Sequence, residues 1–392
     1  MLDKEEIIID EEFESIDSED EDLSLADKEE LLVNKYTNGQ FRIVRTNMDF
    51  PLNNLEQVLS DSSYMKINPS YQRRNRWDVK KKSLLIESLL MNVPVPPIFL
   101  YEKDYNSYEV MDGLQRLKTI HDFLSNRFKL SSLEYWGELN GRYFKDLPDI
   151  LKRGLYRRTI SAIVLLAETS KKIDETDIRT ILFNRLNTGG VQLNPQEIRN
   201  ALFPGSFNDL IIKISREKIF TDIWKIPQWE KDEEDNPSDK LKRNNLYKTM
   251  KDCEIVLRYF AIKDVYLENK SGKLNRLLDG CMKKHQNDSE EMIECLYNEY
   301  IRNLESLKDI FGDKLFYLPT VDKLSIPMYD SFMVAYNLVD GNTANQEDII
   351  LGLDNALNNI EQYETLIGKR ATSQSIRDRV DLAVKILAGE NK

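Results

Sequence analysis

The segment Asp112-Gly113-Leu114-Gln115-Arg116 has the residue types and spacing that most directly suggest chemistry. The apolar run before it reads as a strand and the residues after it as a helix. Such a junction aims unpaired backbone N–H groups and the positive end of the helix dipole at one point, where an anion can sit. On a helical wheel Gln115 and Arg116 fall off the stripe formed by Leu114, Leu117, His121 and Leu124, so both side chains are left free to meet a ligand. Arg116 would offer phosphate a bidentate fork. A plain structural reading stands beside this one, with Asp112 as a helix cap and Arg116 as a solvated charge.

Two more clusters carry polar groups suited to nucleotides. Tyr71-Gln72-Arg73-Arg74-Asn75-Arg76-Trp77 mixes three arginines with two aromatics, a composition that pairs phosphates and stacks bases, or else a charged loop. Lys80, Lys81 and Lys82 read as the solvated face of the helix that follows. In Phe183-Asn184-Arg185-Leu186-Asn187-Thr188-Gly189-Gly190, Asn184 and Asn187 share a helix face and the glycines let backbone approach a ligand. Asn194, Pro195 and Glu197 beyond it fit a capping box with proline at the first helical position, which accounts for all three without a ligand.

Other chemistries lack their residues. His121 and His285 are the only histidines, so the 392 residues cannot assemble a His-Asn-His metal nuclease or a multi-histidine phosphohydrolase. His121, on the apolar stripe, reads as a core histidine. There is no GxxxxGK[ST] phosphate loop. Cys253, Cys281 and Cys295 lack the paired spacing of a zinc site and read as reduced structural thiols.

The elements that must position these clusters can be read from periodicity. Asp78 is placed to cap a helix of about fourteen residues that Pro94 ends. After the extended Val93-Pro94-Val95-Pro96-Pro97, Ile98 to Tyr101 and Tyr108 to Met111 form a β-hairpin across the turn Asp104 to Ser107. A strand over Thr159 to Leu166 precedes a helix from Thr176, with Ile178, Ile181, Leu182 and Leu186 inward and Gly189-Gly190 at its end. Another helix starts at Asn194. Beyond Pro204-Gly205 the pattern is helical over 253–260, 290–306, 326–338, 346–365 and 373–387, with a charged surface loop from Glu230 to Lys240.

Length and charge complete the outline. The chain suits two folded units behind an acidic tail: residues 1–35 as a disordered tail, 36–205 as the domain carrying the three clusters and 206–392 as a helical domain. Residues 1–30 hold fifteen Asp or Glu against Lys4 and Lys28, so the total of −12 leaves the remaining residues at +1. A near-neutral body can still present a local basic face, so the net charge does not exclude nucleic acid. The acidic start lacks a signal-peptide pattern and the longest apolar run, Ala162 to Ala167, cannot cross a bilayer, so a cytoplasmic protein without membrane contact is expected.

The three clusters in this order resemble the N-terminal domain of GmrSD-type modification-dependent restriction enzymes and related phage-defence proteins. The family's motifs are Tyr-Gln-Arg before a Trp, a Pro-rich strand entry, Asp-Gly-Gln-Gln-Arg opening a helix, and Asn-Thr-Gly-Gly ahead of a Leu-x-x-x-Glu helix. Here they stand as Tyr71-Gln72-Arg73 with Trp77, Pro94 to Pro97, Asp112 to Arg116, and Asn187 to Gly190 with Leu193 and Glu197. The first Gln of the family pentapeptide is Leu114 here. The resemblance covers residues 40 to 205, and Arg243 to Phe260 look like the family's downstream helical region.

The resemblance implies an α+β fold: a ParB/sulfiredoxin-like N-terminal domain followed by an all-helical C-terminal domain, without the histidine nuclease often fused to it. It implies roles by position. Asp112, Gln115 and Arg116 are the catalytic set, with Gln115 and Arg116 on phosphate and Asp112 orienting the turn or a water. Gln72, Arg73, Gly113, Asn187, Thr188, Gly189 and Gly190 line the nucleotide, and Asn184 and Glu197 approach Mg²⁺ (or Mn²⁺) through oxygen ligands. The function expected is a Mg-dependent nucleoside triphosphatase subunit of a bacterial restriction or phage-defence system, acting on DNA directly or through a nuclease partner. A homo-oligomer is compatible with this. A ParB-like DNA-binding nuclease and a non-catalytic sensor or scaffold are the alternatives.

Overall fold

The computed structural model of the chain describes residues 43–66, 77–167, 194–231, 233, 237–319, 322–368 and 372–391, together with 8–9, 29, 32–33, 36–37, 179, 181–182 and 185–186. Its contacts divide into two units, residues 20–194 and residues 195–392 with 1–19. The strands are Ile8–Ile9 (β1), Ile43–Pro51 (β2), Met65–Lys66 (β3), Ile98–Asp104 (β4), Ser107–Asp112 (β5), Thr159–Ala167 (β6), Tyr317–Leu318 (β7) and Lys323–Ser325 (β8).

The first unit is built on a five-stranded mixed sheet in the order β2-β6-β4-β5-β3. β6, which ends in the apolar run Ala162 to Ala167, lies inside it, parallel to β4 through Ile98 opposite Ala162 and antiparallel to β2 through Ile43 opposite Ala167. The β4–β5 hairpin forms as its sequence suggests, with Asn106 in the left-handed region at the turn. β2 was not foreseen. Val44, Met48 and Phe50 alternate with polar residues along it, but Thr46 interrupts that face and only Phe50 is buried.

Two helices of this unit, Val79–Leu90 and Leu114–Leu124, pack against each other. The helix Val79–Leu90 starts where Asp78 accepts a hydrogen bond from the Lys81 backbone N–H at 2.7 Å, and it buries Leu85, Ile86, Leu89 and Leu90. At its other end Arg158 Nε donates to the Leu89 carbonyl at 3.0 Å. Lys82 is not merely solvated: it lies 3.1 Å from Asp122 and over the Phe128 ring, because the second helix, Leu114–Leu124, runs alongside. Residues 179, 181–182 and 185–186 are helical as expected, but Ile181 is exposed and Leu182 and Leu186 are half-buried, so the inward face is narrower than its apolar content suggests.

Glu87 lies on the inner face of Val79–Leu90 at 3% exposure. Its carboxylate accepts from the backbone N–H groups of Glu134 at 3.1 Å, Tyr135 at 2.8 Å and Trp136 at 2.8 Å. Burial pushes this carboxyl up, but the three backbone donors outweigh it and hold it below its ordinary value. A lowered folded-state pKa contributes stability above the ordinary carboxylate range, and that contribution is lost as pH falls through the range. Glu87→Gln is therefore expected to cost about 1–3 kcal/mol at neutral pH. Wild type and variant should converge near about pH 3 in thermal melts. A gap that stays constant with pH would show that the Glu87 charge is not what holds the loop.

The second unit is mostly helical. The helices Lys251–Leu267 and Ile326–Val339 lie at its centre, with Glu290–Phe311 and Ser373–Leu387 against the latter. The expected helix over 346–365 is two, Gln346–Asn358 and Ile360–Leu366, because Asn359 turns extended and its side chain accepts from the N–H groups of Glu361 and Gln362. The charged stretch from Glu230 is not a simple surface loop. Glu233 forms a two-pronged pair with Arg216 at 2.7 and 2.8 Å, and their side chains are 5% and 7% exposed.

This unit also contains a small sheet of order β1-β8-β7. β1 comes from the acidic segment read as a disordered tail, and it pairs in parallel with β8, Ile8 opposite Leu324 and Ile9 opposite Ser325. Among the described residues no helix is long and apolar enough to cross a membrane.

Candidate functional site

β5 ends at Asp112, which pairs with Phe99 of β4, and the chain then turns through Gly113 into the helix Leu114–Leu124. Gly113 is required twice over. Its φ of +96° lies in the left-handed region, and a Cβ there would stand 2.4 Å from Ile98 Cγ2 and 2.9 Å from Arg116 Nη2. Having no side chain, Gly113 also leaves the helix without a side-chain cap. The first turn faces the junction with its dipole end, as the sequence suggests.

Leu114 is 1% exposed, and Leu117, Ile120 and Phe123 are fully buried. The buried stripe thus runs through Ile120 and Phe123, which turns His121 to a half-buried flank and corrects its reading as a core histidine.

Arg116 is not free. Its Nη2 donates to Asp112 Oδ2 at 2.7 Å and to the Pro97 carbonyl at 3.1 Å, and the side chain is only 14% exposed. The i,i+4 spacing brings the pair together, and the proline-rich entry to β4 supplies the second acceptor. Arg116 Nε is buried without a hydrogen-bond partner among the described residues. Gln115, half-buried, is engaged as well. The anion that the turn holds in this structure is therefore the Asp112 carboxylate.

A second arginine, missed in the sequence, stands on the same hairpin. The Arg179 guanidinium pairs with Glu109 of β5 and lies 5.5 Å from the centroid of the Tyr101 ring on β4. This contact attaches the helical segment before the Asn187–Gly190 motif to the strand that ends in Asp112. A charged residue inside the strand Tyr108-Glu109-Val110-Met111 was the available signal, since a carboxylate there needs a partner.

Of the other expected site residues, Gln72, Arg73, Asn184, Asn187, Thr188, Gly189 and Gly190 lie outside the described residues. Trp77 is half-buried, with Lys81 Nζ 4.8 Å from its ring centroid. Glu197 is 3% exposed in the helix Pro195–Leu202, which groups with the second unit. Its neighbour Arg199, 2% exposed, donates to Asp279 at 2.8 Å and to Asn275 at 2.7 Å. The Glu197 helix is thus anchored within the second unit.

Residues 55–204 match the family model described as GmrSD restriction endonuclease, N-terminal domain. This segment is a GmrSD-type N-terminal domain. No curated protein and no solved structure matches the chain. The GmrSD-type domain includes the Asp112–Arg116 turn and the strands β3 to β6, and its match extends over Pro195–Leu202. Its Leu114 departure falls on a core position, so it alters packing and leaves Gln115 and Arg116 at the turn.

Proposed function

We propose that the GmrSD-type domain binds a nucleoside triphosphate with Mg²⁺ (or Mn²⁺) at the Asp112–Arg116 turn and hydrolyses it, and that the bound state controls DNA recognition or cleavage. The family match associates the chain with restriction and phage defence. The nucleotide reading rests on one observation, the half-buried Arg116 guanidinium, its Nε unpartnered among the described residues, paired with a carboxylate at an uncapped helix N-terminus. A phosphate oxygen is an anionic hydrogen-bond acceptor like that carboxylate oxygen and can take its place, as in a ParB/sulfiredoxin-like arginine turn. Exchange would release Asp112 to face a water or the cation that travels with the phosphates. The donor set suits phosphate. Of the residues assigned to the metal, Glu197 is buried in the second unit, so the first unit's own carboxylate at the turn is Asp112.

Calorimetric titration of the four triphosphates tests the proposal. Wild type should bind at least one of them with Mg²⁺ below millimolar. Arg116→Ala should lose ten- to hundredfold in affinity, the equivalent of a charge-assisted contact of about 1.5–3 kcal/mol. Arg116→Lys should recover part of it, because lysine keeps the charge and loses the fork. Asp112→Asn should bind metal-free triphosphate more tightly than wild type, since the competing charge is gone. If no triphosphate binds wild type below millimolar, or if Arg116→Ala binds equally well, the turn is not a nucleotide site and a scaffold role replaces this reading.

A further inference from the structure

The second unit contains a cluster unrelated to the nucleotide reading. We propose that Asp264, Cys281 and His285 bind a divalent cation of the zinc class, with Asp288 orienting the histidine. The ligand-capable atoms of the three residues all lie within 4.8 Å of one another. Cys281 and His285 are four apart near the end of the helix Leu274–His285, hence on one face. Asp264 comes from the helix Lys251–Leu267 packed against it.

Three further features point to a ligand rather than to a chance meeting. His285 Nδ1 is 2.6 Å from Asp288 Oδ2, which leaves Nε2 as the ligating nitrogen, the carboxylate–imidazole arrangement that supports metal-bound histidines. The imidazole is stacked on Phe207 with ring centroids 4.7 Å apart, so its plane is fixed. Asp264 Oδ2 is buried and has no hydrogen-bond partner among the described residues; Lys270 Nζ is 3.7 Å away.

The charges balance. A thiolate and a carboxylate neutralise a divalent cation, with a water completing a four-coordinate shell. Lys284, which holds Asp264 Oδ1 at 2.6 Å, and Lys270 each also pair with Glu268, at 2.6 and 2.7 Å. Both lysines therefore keep a carboxylate partner when Asp264 turns to the cation. Sulfur, nitrogen and oxygen together select zinc or cobalt over magnesium and calcium, which take oxygen alone. Sequence spacing could not show this, because one ligand comes from a neighbouring helix and one cysteine stands where zinc motifs usually carry two.

The test uses the full chain stripped of metal with a chelator and titrated with Co²⁺. One equivalent should produce a thiolate-to-cobalt charge-transfer band that Zn²⁺ abolishes by competition. Zn²⁺ at saturation should raise the melting temperature by several degrees. Cys281→Ser should lose the band and His285→Gln should weaken binding at least tenfold, while Cys295→Ser, which alters an exposed thiol, should leave both unchanged. No band in wild type, a band that survives in Cys281→Ser, or one that disappears in Cys295→Ser would overturn the proposal. If Cys281→Ser fails to fold, the His285→Gln titration decides alone.

Discussion

Gly113→Ala is expected to cost the first unit about 2–5 kcal/mol, the sum of a left-handed backbone forced on an alanine and of overpacking against a full core. The clash falls on Ile98 Cγ2, 2.4 Å from the new methyl carbon, and Ile98 is fully buried, so it cannot swing aside. Relief has to come from the β4–β5 end or from the helix start. Either shift separates Asp112 from Arg116 and breaks the geometry proposed to hold phosphate. Calorimetric melts should show the transition of the first unit lowered by roughly 5–15 °C. Triphosphate binding should fall with it even at temperatures where the variant remains folded. An unchanged melt would mean that the turn is not left-handed at Gly113, and the site built on it would go as well.

The second large effect lies in the other unit. Arg258 and Asp330, on the helices Lys251–Leu267 and Ile326–Val339, are each 2% exposed. Arg258 Nε approaches Asp330 Oδ2 at 2.9 Å, and Arg258 Nη2 bonds the same oxygen. Asp330→Ala takes away the carboxylate that meets this buried guanidinium at both Nε and Nη2, and the expected loss is about 3–5 kcal/mol. The double variant Arg258→Met with Asp330→Leu should recover most of that loss, because filling the space with apolar groups removes the desolvation problem. Urea titrations read both. A single variant that loses less than about 1 kcal/mol would place the pair in contact with water, since that is the range of exposed ion pairs.

The legibility of the chain follows from what each element depends on. The cap at Asp78, the β4–β5 hairpin, the strand–glycine–helix junction and the helix Ser373–Leu387 are set by local residues, and the sequence showed them. β2 is a largely solvated edge held by hydrogen bonds to β6, and of its alternating Val44, Met48 and Phe50 only Phe50 is buried, so the side-chain pattern was weak. The stripe on Leu114–Leu124 was half read, because the wheel admitted His121 and passed over Ile120 and Phe123. Only packing chooses between adjacent faces.

The candidate site was legible in identity and not in state. Asp112 and Arg116 were named, and their i,i+4 spacing already allowed the ion pair. What placed the guanidinium out of solvent was the Pro97 carbonyl, nineteen residues away, together with the buried Ile98 that follows it. Glu87, Glu233 and Arg179 were missed for a related reason. Each is a charged residue in an ordinary polar or helical context, and its burial is decided by a partner distant in the sequence.

The pairing of Ile8–Ile9 with Lys323–Ser325 gives the chain a nested topology. Residues 20–194 are an insertion, and the unit that receives them is discontinuous. A nick between residues 19 and 20 would cut the covalent link to β1 and leave the two-residue ladder to β8 to hold the short fragment. A fragment begun at residue 195 would instead present the bare edge of β8, whose free N–H and C=O groups recruit whatever strand is nearest.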